Sequence, residues 1–210
     1  MKQMKERILL AIIILLIGFQ ANAQEEKFNL VLKIAPAVSW LDIKNSAGVS
    51  SDFPVVKFNG GGILIYNLSK NFGLASGINY NTLGGKVRYY DSSYDTYNYA
   101  EIQIPFILQM KSKSILNSQV FIQLGIAGSM FTQAEDDDGN SLWEGTKAFN
   151  SAYIISGGVY YPMGDDMMLA VQLKYNGGLR NIFDNSSKIY KDRKDEIKIN
   201  FVELSIGVMF

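Results

Sequence analysis

Lys33, Glu101, Lys174 and Glu203 are the residues best placed to do chemistry, each sitting on the polar side of a segment whose other side is apolar. Two carboxylates and two amines are enough for acid/base work, one group giving a proton while another takes one. The chain offers little beyond that. Its 210 residues include no His and no Cys, so imidazole bases, thiolate nucleophiles, disulfides and Cys-based metal sites are excluded. The same four side chains also read as a structural network in which opposite charges neutralise one another across a narrow interior. This second reading is favoured, because perturbed carboxylates arise in purely structural networks as well. No cofactor is expected.

The sharpest local cluster is Glu135-Asp136-Asp137-Asp138-Gly139-Asn140. Aligned on its glycine, a calcium-binding EF-hand loop needs an acidic residue at 134 and Glu at 145; the chain has Ala134 and Gly145. Asp136, Asp137 and Asp138 therefore read as a solvated loop, with contact to bridging cations as the alternative. Tyr89, Tyr90, Tyr94, Tyr97 and Tyr99 form either a binding surface or cross-strand pairs on two extended strands. The mixed charges from Lys188 to Glu196 suit a solvated hairpin tip or contact with lipid phosphates. Gly60-Gly61-Gly62 has no following helix or Lys-Ser/Thr, so it is no phosphate loop and instead eases strand curvature.

The elements that must position these residues are strands. Residues 1–23 read as a cleaved export signal: Lys2, Lys5 and Arg7 precede an apolar run from Ile8 to Phe19, and Ala21-Asn22-Ala23 is a small-residue cleavage site. The run is too short for a spanning helix, which needs about 20 residues. The remaining domain, 24–210, carries 17 Lys and Arg against 19 Asp and Glu, which gives no reason to expect nucleic acid as a partner.

Within that domain apolar residues recur with period two. The last ten residues show it most cleanly: Val202, Leu204, Ile206, Val208 and Phe210 share one face, and Glu203, Ser205, Gly207 and Met209 the other. Eight such segments alternate with three short turns (67–71, 111–117 and 162–166) and four longer polar connections. The sixth segment is ambiguous, since Ile154 and Ile155 could each face outward. The pattern predicts an all-β protein, an eight-stranded antiparallel up-and-down transmembrane β-barrel after the cleaved signal, with both termini in the periplasm. A soluble barrel would invert the faces and carry Lys and Glu densely on its polar side. Here that side is mostly Gly, Ala, Ser, Asn and Gln.

Ile102-Gln103-Ile104-Pro105-Phe106-Ile107-Leu108-Gln109 and Tyr175-Asn176-Gly177-Gly178-Leu179-Arg180-Asn181-Ile182 resemble two runs of the PorT-like outer-membrane β-barrel family of Bacteroidetes. Gln103 stands where that family usually has Glu, and Gln109 where Lys is frequent. The resemblance implies a non-enzymatic outer-membrane barrel that serves as accessory or anchor of a cell-envelope assembly, with a link to protein secretion. Its partners would be membrane lipids, lipopolysaccharide and envelope or secretion-machine proteins. The alternative from the residues is a small lipid- or glycan-modifying enzyme using carboxylates. Pro105, lacking an N–H, marks a bulge near the periplasmic end of its strand. Barrel closure puts Glu203 between Lys33 and Lys174, with Glu101 at a similar depth.

Overall fold

The alternating segments form strands in the computed structural model, which describes residues 27–44, 49–89, 93–114, 117–164, 167–184 and 196–210. These are β1 (Phe28–Lys44), β2 (Val49–Ser51), β3 (Val55–Asn67), β4 (Phe72–Tyr89), β5 (Tyr94–Lys111), β6 (Gln119–Glu135), β7 (Phe149–Pro162), β8 (Met168–Gly178) and β9 (Glu196–Met209). Eight of them close into an antiparallel barrel in the order β4-β3-β1-β9-β8-β7-β6-β5, with β5 pairing back onto β4. Short β2 takes over β3's place beside the top of β4, pairing Val49 with Tyr89 and Ser51 with Val87. The signal segment 1–23 and the charged segment 188–195 lie outside the described residues.

Closure carries a stagger. Following paired residues once around, from Asn29 through Ile65, Ala75, Ile107, Gly125, Ile154, Asn176 and Phe201, returns to β1 at Ser39, ten residues higher. A stagger of this size in eight strands tilts them by about 40° and leaves an interior that side chains can fill.

Outward positions along the lower two-thirds of the strands are apolar and exposed: Leu32, Ile34 and Val38 on β1, Ile104 and Phe106 on β5, Leu204 and Ile206 on β9. Aromatic rings mark the lower rim at Phe28, Tyr66, Phe72, Tyr161 and Phe210. Near the upper rim Trp40 lies 6.2 Å and Tyr153 5.7 Å from the ring of Tyr175. Above this belt the outward residues become charged, with Lys44 paired to Asp42 at 3.4 Å and Lys198 to Glu196 at 2.8 Å.

The strands are longer than the sequence pattern suggests. β1 runs to Lys44, and β4 and β5 extend to Tyr89 and from Tyr94, so residues 84–98, expected from the sequence as one of the four longer polar connections, are mostly hairpin. There Tyr89 and Tyr97 meet hydroxyl to hydroxyl at 2.7 Å; burial first, and this hydrogen bond second, push the Tyr97 hydroxyl's pKa up. Ile154 points inward and is buried, whereas Ile155 is half exposed on the outside.

Pro105 causes no bulge. Its pairing with Ala127 keeps register, and the ladder to β4 is only interrupted between Ser76–Phe106 and Asn79–Gln103. The register shift falls instead at Ala100/Glu101, where Glu101 pairs with Phe131 and Ala100 with Gln133. That skips Thr132 and leaves Thr132 and Gln133 both exposed.

A second irregularity lies beside it. The ladder between β3 and β4 ends at Asn59–Asn81. Above it, Asn59 Oδ1 accepts from the Thr82 N–H (3.0 Å), and Ser39 of β1 reaches across to Gly84, accepting from its N–H (3.0 Å) and donating to its carbonyl (2.9 Å). A Cβ on Gly84 would lie 2.2 Å from the Tyr97 carbonyl oxygen, so glycine is required for this approach.

Candidate functional site

The inward face is built in three layers. At the top, Leu41, Leu83, Val87, Tyr99, Phe131, Ile197, Ile199 and Phe201 from the strands pack with Ile182 and Phe183 from the β8–β9 connection. The connection is drawn in by backbone bonds: Ile182 N–H to the Ile197 carbonyl, and Lys147 N–H to the Ile182 carbonyl. Asn181 Oδ1 also accepts from the N–H groups of Phe183 and Ile197. An apolar plug thus fills the upper mouth, and nothing in the polar composition of that loop announces it.

Under the plug sit the ionisable groups. Glu203 Oε1 pairs with Lys33 Nζ at 2.7 Å and Lys174 Nζ at 2.9 Å, and its Oε2 accepts from Asn59 Nδ2 at 3.0 Å. Glu203 is 1% exposed and Lys174 2%. Lys174 also stands over the Phe201 ring, 5.1 Å from its centroid. Two cations on one carboxylate offset the cost of removing it from water, and Asn59 occupies the oxygen that remains.

Lys174 is Glu203's direct cross-strand partner, but Lys33 is not, since its register partner is Gly207 and Glu203's is Ala37. The Lys33–Glu203 contact is therefore diagonal, spanning the stagger. Gly207 leaves space for it, because a Cβ there would come within 3.0 Å of Lys33 Cβ.

Glu101 has a cluster of its own. Its Oε1 accepts from Asn81 Nδ2 (2.9 Å) and Gln103 Nε2 (3.1 Å), and its Oε2 from Ser129 Oγ (2.6 Å). All its described partners are neutral. Below lies a belt of amides: Gln123 donates to Gln109 (2.7 Å), Tyr160 to Gln109 (2.9 Å), and Gln172 to Gln123 (2.6 Å) and Ser156 (2.8 Å). Tyr160 stacks on Phe121 at 4.2 Å within a lower apolar cluster that includes Val31, Ile63, Ile65 and Met209. Inward parity in the sequence already places Gln109, Gln123 and Gln172 in the lumen, whereas Ser156 and Tyr160 lie on the segment whose facing the pattern left open.

Asp136, Asp137 and Asp138 stand far from this layer, in an exposed turn above the strands. Asp136 accepts from the Asn140 backbone N–H (2.7 Å) and Nδ2 (2.8 Å). The Asn140 side chain is the main reason its carboxyl titrates below the usual range. Among the described residues no three metal-capable side chains gather into a cation site.

A closed, tilted eight-strand barrel with an apolar exterior belt and a hydrogen-bonded interior is the architecture of a small membrane barrel. The chain belongs to the outer membrane protein beta-barrel domain family, whose model matches residues 20–184, which places it in the outer membrane. Two solved barrels share the fold. The outer membrane protein OprG from Pseudomonas aeruginosa superposes with a TM-score of 0.58 at 11% identity, over 88% of this chain and 96% of that one. Neisserial surface protein A does so with a TM-score of 0.52 at 14% identity, over 87% and 96%. No curated protein matches the sequence.

Proposed function

We propose that this protein is a sealed, non-enzymatic outer-membrane barrel that anchors or assists a cell-envelope assembly, with its termini in the periplasm and residues 1–23 removed as an export signal. The observation that carries this is occlusion. Both candidate catalytic carboxylates, Glu101 and Glu203, are buried with their oxygens engaged by protein partners, under the Leu41–Phe183 plug and above the glutamine belt. A substrate would have to displace a packed layer to reach either one. The same layers argue against a diffusion channel, so planar bilayer recordings should show no steady conductance; large stable openings would contradict the reading.

The surfaces left for work are the exterior belt, which meets lipid, and the upper hairpins, which meet lipopolysaccharide or protein partners. The likeness of Ile102–Gln109 and Tyr175–Ile182 to PorT-like barrels supports a secretion machine as the assembly. A deletion strain tests it. Altered secreted or surface proteins with unchanged lipid A favour the anchor, whereas altered lipid A with an unchanged protein profile favours the carboxylate enzyme.

A further inference from the structure

Between the ion-paired layer and the lower apolar cluster the lumen holds a cavity of about 30 Å³, room for about two water-sized occupants. Lys33, Lys174, Asn79, Gln123, Gln172 and Ser205 line its polar side, the two glutamine oxygens already accepting within the belt, and Phe121 and Ile154 its apolar side. Glu203 is the only carboxylate in ion-pair reach of either lysine among the described residues, and the two share a single oxygen of it. An ammonium carries three donors, so each lysine keeps N–H groups with no protein acceptor. Lys174 Nζ is fully buried and makes no well-formed hydrogen bond beyond its ion pair to Glu203, and one unmatched acceptor, Asn79 Oδ1, belongs to the same lining. The lining thus presents two cations and a surplus of donors. The other buried carboxylate, Glu101, is held by Asn81, Gln103 and Ser129 and does not line the cavity.

We infer that this cavity is a binding site for a monovalent inorganic anion of chloride size, enclosed as the barrel closes and held between the Lys33 and Lys174 ammonium groups. A halide only accepts, which matches the donor surplus, and its charge adds to the partial compensation that Glu203 at contact and Glu101 at longer range give the two cations. Water satisfies the geometry less well, because each molecule brings donors of its own. The plug above and the packed Phe121–Tyr160 pair below make exchange through the folded barrel slow, so the anion must be present during folding. This inference does not depend on the envelope role.

The test is to refold the full barrel from urea into detergent micelles in sodium chloride, bromide or gluconate at one ionic strength, then measure the urea midpoint. In chloride and bromide the midpoint should lie above that in gluconate, rise with halide concentration and level off. Lys174→Met should abolish the response. Crystals grown in bromide should show an anomalous bromine peak between the two Nζ atoms, a readout that needs no variant to fold. Equal midpoints in the three salts, a halide response retained in K174M, or bromine peaks confined to the surface would each overturn the assignment.

Discussion

β9 and β1 each pass through two regions that obey opposite rules. From Phe210 up to Val202, β9 shows apolar side chains to the outside and Ser205 and Glu203 to the inside; above Phe201 it shows Lys198 and Glu196 outside and Ile199 and Ile197 inside. β1 changes at the same level, from exposed Ile34 and Val38 with inward Lys33 to outward Asp42 and Lys44 with inward Leu41. The lower region is solvated by lipid and keeps its polar groups within. The upper region stands in water and is packed like a soluble barrel. Period-two alternation is unbroken through the change, so what reverses is the solvent and not the secondary structure. The reversal needs a layer where both rules hold, and Lys33, Lys174, Glu203 and the Ser39–Gly84 clasp lie at that level.

The largest effect should come from breaking the ionic layer. Glu203→Gln removes the shared counter-charge of two buried ammonium groups and should lower unfolding stability in urea by about 3–5 kcal/mol. Adding Lys33→Gln should recover part of the loss, and an unchanged midpoint for the single variant would show that the pairs contribute nothing. Next comes the upper core. Leu41 is 1% exposed, and Leu41→Ala should cost about 2–5 kcal/mol through the cavity it leaves. A negligible change would mean that the plug is loosely packed.

The two exteriors should then separate. Ile206→Arg at mid-belt should cost about 2–4 kcal/mol, measured by refolding into vesicles. Removing the half-exposed charge of Lys198, above the belt, should leave the midpoint unmoved even though the Glu196 pair is lost. A large cost at Lys198 or none at Ile206 would erase the distinction.

The smallest effect concerns the acidic turn. Asn140→Ala should bring the Asp136 carboxyl back toward its ordinary range, visible in a carbon-detected NMR titration. The depressed value means that the turn's contribution is present above the unfolded pKa and lost as pH falls through the folded one. An unmoved titration would show that Asn140 does not hold it.

Much of this was legible in the chain. Alternation from Phe28 to Phe210 fixes eight crossing strands, and inward parity alone marks Lys33, Glu101, Lys174 and Glu203. Counting depth from the strand ends puts Lys33, Lys174 and Glu203 at similar heights, but such a count ignores the ten-residue stagger, which pairs Lys33 with Gly207 and makes its contact diagonal. The upper ends of β1, β4 and β5 read as polar loop because their outward residues face water, where charge is normal. Ile154 against Ile155 could not be settled from adjacent identical residues. Ile182 and Phe183 sit in a loop without strand periodicity, so their inward packing follows only from the partners that the closed barrel brings over them.

The reversal of inside and outside along one strand is directly measurable, because the chain has no native cysteine. Single cysteines placed in turn at 198, 199, 200, 201, 204 and 206 of β9 can be probed in vesicles with a membrane-impermeant maleimide and with a lipid-soluble one. Positions 198 and 200 should react with the impermeant reagent, 204 and 206 only with the lipid-soluble reagent, and 199 and 201 with neither. Impermeant labelling at 204 and 206, or protection at 198 together with labelling at 199, would show that the two faces of β9 do not exchange solvent.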